Sequence, residues 1–417
     1  MQGAKSFEIS KQLVWEAYQR VKANRGSAGI DNVSIKEFEE HLKDNLYRIW
    51  NRMSSGCYFP PPVKLVEIPK SGGVGTRPLG IPTVGDRVAQ MVAVLTLEPQ
   101  VAPYFHEDSY GYRKNKSAQD AISKARQMCW KLDWVLDMDI SKFFDTIDHE
   151  LLMKALRRHT DCKWVLLYIE RWLTVPYEKK DGTRIERKKG VPQGSIIGPL
   201  LANLFLHYAF DEWMRINHPD IPFERYADDS ICHCKSQSEA VSLKRSIQER
   251  FSQCKLELNE TKTKIVYCKD SNRKGSFEII AFDFLGYGFR PRGAKSKHGK
   301  YFTSFTPAIS RGAKKRMGEK MREWRTNQWV PFKLRDIARQ INPILQGWIN
   351  YYGKFYPSAL KGVLQRVNGH LAHWARQKFK RLRQKKTQSI YWLGNIARGN
   401  PRLFAHWKWG VMPAACN

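Results

Sequence analysis

The stretch Phe223-Glu224-Arg225-Tyr226-Ala227-Asp228-Asp229-Ser230-Ile231-Cys232 decides how the chain is read. Two short β-forming runs flank a tip of adjacent carboxylates, which predicts a hairpin with Asp228 and Asp229 at its end. Earlier in the chain, Trp134-Val135-Leu136-Asp137-Met138-Asp139-Ile140 is a second short apolar run punctuated by carboxylates, a predicted central strand. Asp137 and Asp139 share one face of it, because strand side chains alternate. Carboxylates on buried strands are costly unless they are paired or meet a cation. Two strands can bring Asp139 and Asp228 to one point, which suits two Mg²⁺ ions. Magnesium takes oxygen ligands, few of them from protein, and completes its shell with substrate phosphates. Such a pair activates a 3′-hydroxyl and stabilises departing pyrophosphate in one in-line step. Taken alone, the two clusters read more readily as a turn-forming Asp-Asp dipeptide and a strand-end Asp.

Around these runs the pattern mixes helix and strand. Ser10 caps a predicted helix with Leu13, Val14, Ala17, Tyr18 and Val21 at helical spacing, and a second helix carries Phe38, Leu42, Leu46, Ile49 and Met53 on one stripe. Residues 63–70 alternate as a strand, and Ser71-Gly72-Gly73 turns into Thr76-Arg77-Pro78-Leu79. Val88 to Leu97 and Pro199 to Trp213 read as buried helices, the latter entered through Gly190-Val191-Pro192-Gln193-Gly194. Strands and helices interleave without a strict βαβ rhythm, so the body is α+β. Arg290 to Lys300 reads as a Gly/Lys/Arg loop, and beyond it the periodicity is helical.

Charge divides the chain in the same place. The 417 residues hold 71 Lys and Arg against 40 Asp and Glu, a net charge of +31. From Arg290 onward the balance is +25, with Glu319, Glu323 and Asp336 as the acidic residues; the first 289 residues carry +6. The cationic part also holds seven tryptophans, so it reads as a folded module that binds a polyanion. The start has no apolar secretory core and no run approaches 18 apolar residues, which argues against a secreted chain or a membrane span. The eight cysteines are scattered without a C-x-x-C, which argues against a zinc ribbon and fits a reduced, cytoplasmic setting.

Order and spacing sharpen the reading. Asp139-Ile140-Ser141-Lys142-Phe143-Phe144-Asp145, Val191-Pro192-Gln193-Gly194-Ser195 and Tyr226-Ala227-Asp228-Asp229 follow one another in the order used by reverse transcriptases. Gly26-Ser27-Ala28-Gly29-Ile30-Asp31, Glu67-Ile68-Pro69-Lys70, Thr76-Arg77-Pro78-Leu79-Gly80-Ile81-Pro82 and Ser109-Tyr110-Gly111-Tyr112-Arg113 add to them. So do Leu258-Asn259-Glu260-Thr261-Lys262, Phe284-Leu285-Gly286, Gly347-Trp348-Ile349-Asn350-Tyr351-Tyr352 and Leu403-Phe404-Ala405-His406-Trp407. Over nearly its full length the chain resembles the group II intron-encoded reverse transcriptases, or maturases.

That resemblance implies a right-hand polymerase: an N-terminal extension and start of the fingers over 1–60, and fingers and palm over 61–290. A helical thumb or maturase domain over 291–390 and a short basic DNA- and RNA-binding tail over 391–417 complete it. It implies that Asp139 and Asp228, with the Ile140 carbonyl, hold two Mg²⁺ ions (Mn²⁺ being an admissible substitute), and that Asp229 is a less direct neighbour. Lys70 and Arg77 would grip the triphosphate of a deoxynucleotide, while Phe144 would exclude a 2′-hydroxyl. Gln193 would meet the template–nucleotide pair. By residue type alone, Lys70 and Arg77 also suit a solvated turn, Phe143 and Phe144 core aromatics, and Gln193 an ordinary helix entry. Lys262 serves equally as a cation for pyrophosphate or as a surface lysine. His149, His159 and His207 read as structural or surface residues.

The runs Arg311, Lys314, Lys315, Arg316 and Arg376, Lys378, Lys380, Arg381 fit RNA or duplex phosphates better than a merely solvated face. The implied partners are group II intron RNA, an RNA template with a DNA primer, target DNA and deoxynucleotides, and no membrane. No cysteine-paired nuclease of the His-Asn-His type is expected, which makes an existing nick or a replication fork the expected source of primer for retrohoming. Two other roles share these residues: a splicing-only maturase with a relic site, and a reverse transcriptase recruited to host defence or repair.

Overall fold

The computed structural model describes residues 6–69 and 75–415. Lys70 and the turn Ser71-Gly72-Gly73 lie outside the described residues. The chain forms two compact units, one of residues 1–121 and 136–264, the other of 122–135 and 265–417.

The first unit opens with the helix Lys11–Ala23, capped by Ser10 Oγ, which accepts from the Leu13 amide at 3.0 Å. The stripe expected to form one further helix forms two, Ile35–Glu40 and Leu42–Ser54. His41, at φ −121° and ψ 38°, breaks the run, while Ser34 and Glu37 close a capping box at its start. Strands β1 (Val63–Pro69) and β2 (Thr76–Ile81) pair antiparallel, and the buried helix Val84–Val101 follows. With β4 (Tyr177–Glu178) and β5 (Arg184–Ile185) they form a sheet of order β2-β1-β4-β5. A second sheet has the order β6-β7-β3-β8, with β3 at Trp134–Met138, β6 at Phe223–Tyr226, β7 at Asp229–Cys234 and β8 at Lys264–Tyr267.

The helix expected from Pro199 to Trp213 is α-helical over Gly198–Leu206 and again over Glu212–Asn217, with a π-helical segment, His207–Asp211, between them. A π-turn widens the backbone and leaves carbonyls to be met from outside. Arg250 meets two of them, donating to Tyr208 O at 2.8 Å and Ala209 O at 3.2 Å.

In the second unit, the segment expected as a loop from Arg290 to Lys300 is instead most of a hairpin. Strand β9 (Phe282–Phe284) pairs with β10 (Tyr287–Lys295), which pairs with β11 (Tyr301–Ile309) over nine residue positions. Its Gly, Lys and Arg content hides a strand that continues from a buried aromatic start: Phe289 on β10 stacks on Phe282 of β9 with centroids 4.7 Å apart. Helices Arg311–Arg322, Leu334–Tyr352, Pro357–Lys378, Lys386–Gly399 and Ala405–Lys408 follow. Their shared core holds Leu345, Leu364, Trp374, Leu393, Phe404 and Trp407, so residues beyond 390 are part of the packing. The Trp374 indole donates to Trp329 O and that of Trp407 to Asn368 Oδ1, both at 2.8 Å. These two tryptophans are therefore structural; burying each apolar side chain of such a core contributes roughly 1.5–3 kcal/mol.

Candidate active site

Strand β3 ends at Met138 and hands on to Asp139, which is held by the segment 257–263. The Asn259 amide donates to Asp139 O at 2.8 Å, Ile140 bridges Leu258, and the Ser141 amide donates to Glu257 O at 2.8 Å. The same turn brings Lys262 Nζ to 3.1 and 3.0 Å from the two Asp139 carboxylate oxygens. Lys262 is therefore neither an isolated surface lysine nor remote from the acidic site. The pair is solvent-facing, 64% and 33% exposed, so it holds with roughly 0–1 kcal/mol and releases easily.

Asp228 and Asp229 occupy the β6–β7 turn. Tyr226 pairs with Asp229 across it, which forces Ala227 into the left-handed region at φ +59°. The turn is held from below by Arg225, whose guanidinium is fully buried. It donates to both Asp211 oxygens at 2.7 and 2.6 Å, to Asn203 Oδ1 at 3.1 Å and to the Ala227 carbonyl at 2.9 Å. Residues 108–111 lie along β6, with Asp108 O and the Tyr110 amide bonded to the Arg225 backbone. Gly111 is a site of close approach: a Cβ there would stand 2.4 Å from the Ala227 nitrogen. Arg225, Asp211, Asn203 and Gly111 were given no role in the reading of the sequence, although Arg225 and Gly111 stand in runs quoted from it. The available signal was an arginine inside an apolar strand, which must find a partner once buried.

The carboxylates oppose one another. Burial pushes the Asp228 carboxyl up, with Asp139 adding to the effect. Asp229, although its side chain reaches solvent, is pushed up by desolvation from the surrounding protein, then by Asp228 and Asp139, while Lys262 works in the other direction. Among the described residues no three His, Cys, Asp or Glu side chains form a metal cage. Mutually repelling carboxylates with a lysine ammonium on one of them fit a site that takes cations together with substrate oxygens.

Around this centre, Tyr112 is raised by partial burial and by Asp228 and lowered by Arg77, which places Arg77 on β2 in the same field as Asp228. Phe143 is buried against Phe205, whereas Phe144 is partly open and lines a cavity of about 350 Å³ with Tyr177, Arg187 and Lys188. Residues 144–149 are tied to 190–191: the Val191 amide donates to Phe144 O at 2.7 Å and His149 Nε2 to Gly190 O at 2.8 Å. Gln193 O accepts from the Gly80 amide at 2.7 Å, and Ser195 Oγ accepts from the Gly198 amide at the start of the next helix.

In the second unit, Arg311, Lys315, Arg316, Lys380 and Arg381 are exposed. Lys378 is engaged by the Val330 and Phe332 carbonyls, and Arg376 by Ser389 Oγ and His373. Burial and the neighbouring Arg292, Arg290 and Arg366 push the Lys314 ammonium down, the mark of a concentrated positive field.

The profile of the reverse transcriptase (RNA-dependent DNA polymerase) family matches residues 68–289, more than half of the chain. The chain belongs to that family. The maturase-specific domain of group II introns matches residues 314–392. This reverse transcriptase thus joins α+β fingers and palm to a mostly helical thumb, and is an RNA-directed DNA polymerase with a splicing maturase domain. Its family works with divalent metal ions and an RNA template.

Among curated relatives, Protein YkfC of Escherichia coli is 33% identical over 300 residues, 62% of this chain and 74% of that protein. The group II intron-encoded protein LtrA of Lactococcus lactis is 27% identical over 357 residues, 68% of this chain and 56% of that one. The putative COX1/OXI3 intron 1 protein of Saccharomyces cerevisiae is 31% identical over 198 residues, 48% of this chain and 23% of the relative. A solved telomerase from Candida albicans aligns over 91% of this chain and 68% of its own, at 12% identity and a TM-score of 0.46.

Proposed function

We propose that the enzyme copies group II intron RNA into cDNA for retrohoming and assists splicing of that RNA, with Asp139, Asp228 and the Ile140 carbonyl holding two Mg²⁺ ions. The observation that carries the site assignment is the mutual repulsion of Asp139, Asp228 and Asp229 with Lys262 on Asp139. When bound, the ions lower the pKa of the primer 3′-hydroxyl and neutralise charge on the departing pyrophosphate. Asp139, just past the end of β3, and Asp228, in the β6–β7 turn, supply the oxygens. Lys262, released from its exposed pair, moves to the pyrophosphate. Asp229 stays a neighbour beside the two ligating carboxylates and takes no ion itself.

Arg77 offsets triphosphate charge from β2, and Lys70, outside the described residues, keeps the same assignment from the resemblance. Phe144 faces the sugar and Gln193 the template–nucleotide pair. Arg311, Lys315, Arg316, Lys380 and Arg381 bind phosphates of intron RNA, the primer–template duplex and target DNA. The setting is cytoplasmic, which suits the seven free cysteines described.

The test is primer extension on an RNA template with Mg²⁺, run beside an intron-splicing assay. Wild type makes cDNA; Asp139→Ala and Asp228→Ala make none and retain RNA binding. A folded wild type that makes no cDNA overturns the polymerase assignment and leaves the splicing role standing alone.

A further inference from the structure

Among the polar side chains that the helix Val84–Val101 buries are Asp86 and Gln90, 1% and 2% exposed, which the chemistry above does not use. Asp86 Oδ1 accepts from the Tyr58 hydroxyl and the Trp172 indole, both at 2.8 Å. Asp86 Oδ2 accepts from Gln90 Nε2 at 2.9 Å, one turn along the helix. The amide of Gln90 is thereby oriented, nitrogen toward Asp86 and oxygen away. That oxygen accepts from two backbone amides, Ile196 N at 2.8 Å and Ile197 N at 3.3 Å. Both directly follow Pro192-Gln193-Gly194-Ser195.

The turn therefore hangs between two anchors. On one side the Gly80 amide holds Gln193 O. Gly194, at φ +107°, leaves no room for a side chain, since a Cβ would stand 2.4 Å from Gly80 O. On the other side Gln90 holds the two amides that lead into the next helix. A buried polar side chain that meets the backbone only at one turn, and is itself oriented by a carboxylate with three donors, fixes geometry as well as filling space.

We propose that Gln90 is a positioning residue for nucleotide selection: through Ile196 and Ile197 it sets the pose of Gln193 against the template–nucleotide pair, and Asp86 sets Gln90. The inference rests on the role given to Gln193 above and deepens it.

Reversing one hydrogen bond tests it. Gln90→Glu sets a second carboxylate against Asp86 and removes the donor between them. Adding Asp86→Asn restores the connection with opposite polarity. The carboxamide nitrogen introduced at position 86 then donates to one oxygen of the carboxylate introduced at position 90. The other oxygen of that carboxylate still accepts from the Ile196 and Ile197 amides, and Tyr58 and Trp172 keep their acceptor. Gln90→Met keeps the length and removes the acceptor, and it decides the matter if Gln90→Glu does not fold.

The measurement is single-nucleotide incorporation, giving KM for dNTP, kcat and the ratio of correct to mismatched insertion, beside the thermal midpoint of each full-length variant. Gln90→Glu and Gln90→Met raise KM for dNTP about 10- to 100-fold and lower discrimination, with kcat moving less. The double variant returns KM to within about threefold of wild type. Kinetic constants unchanged in folded Gln90→Glu or Gln90→Met, with only the midpoint lowered, overturn the proposal. So does a folded double variant whose KM stays raised. A wild type that extends no primer overturns the polymerase reading and this inference with it. An effect of Gln193→Ala on KM without any effect at Gln90 overturns this inference alone.

Discussion

Asp211→Asn removes one charge from the fully buried pair beneath the catalytic turn while keeping the side-chain volume. Both partners are 0% exposed, and Arg225 holds Asp211 through two bonds of 2.7 and 2.6 Å. The variant leaves the guanidinium buried without a counter-charge, which costs about 3–5 kcal/mol. Against a total stability of about 5–15 kcal/mol that is a large fraction. For a unit of about 250 residues, each kcal/mol moves the midpoint by roughly 2–4 °C, so Tm falls by about 6–20 °C. The assay is thermal unfolding of the full chain, with primer extension measured below the transition. Activity per folded molecule falls too, because the same guanidinium holds the Ala227 carbonyl beside Asp228. The double variant Asp211→Leu with Arg225→Met recovers much of the midpoint, as buried pairs replaced by apolar residues often do, and recovers little activity. A Tm loss under about 2 °C for Asp211→Asn refutes the stability reasoning. A double variant with full activity refutes the positioning role of Arg225.

Gly111→Ala drives a Cβ into the Ala227 nitrogen and lowers kcat by about 100-fold with primer–template affinity retained; incorporation within about threefold of wild type refutes the close-approach account. His406 is fully buried, with Nε2 on Asn368 Oδ1 at 2.7 Å, and burial pushes its pKa from 6.5 to about 3. Between those values the unfolded chain binds a proton that the folded chain does not. Stability therefore rises with pH through that window, by up to about 1.4 kcal/mol per unit, and is lost on acidification. Urea unfolding from about pH 4.5 to 6 shows this slope in wild type and a flatter one in His406→Gln; equal slopes count against it. Replacing Arg311, Lys315 and Arg316 together by alanine reduces the slope of log affinity against log salt by roughly 2–3 for RNA–DNA duplex, at about 0.7–0.9 for each phosphate no longer neutralised. An unchanged slope removes these three cations from the interface.

Much of the fold was legible because its signals are local. The Ser10 cap, the alternation of residues 63–69 and the short acidic runs each depend on a few neighbouring residues. The π-helical segment His207–Asp211 was not legible, since it answers to Arg225 and Arg250, neither of which lies in that helix. The β10–β11 hairpin was hidden for a related reason: the exposed positions of β10 are Arg290, Gly293 and Lys295, and only cross-strand register shows them to be strand. At the site, Asp139, Asp228 and Asp229 were readable as carboxylates that need a cation. The pairing of Lys262 with Asp139, and the engagement of Lys378 by two carbonyls, were not.

The sequence by itself determined the family, the α+β body with its cationic helical module, and the carboxylates that carry the chemistry. Residue type, order and periodicity suffice for these. Tertiary structure alone decided what holds the carboxylates in place: Arg225 against Asp211 under the turn, the 259–263 segment on Asp139, and Gln90 behind the Gln193 turn. Each of these is a hydrogen bond between residues far apart in the chain. Such bonds form only when distant segments are packed in one register, and no local pattern encodes that register.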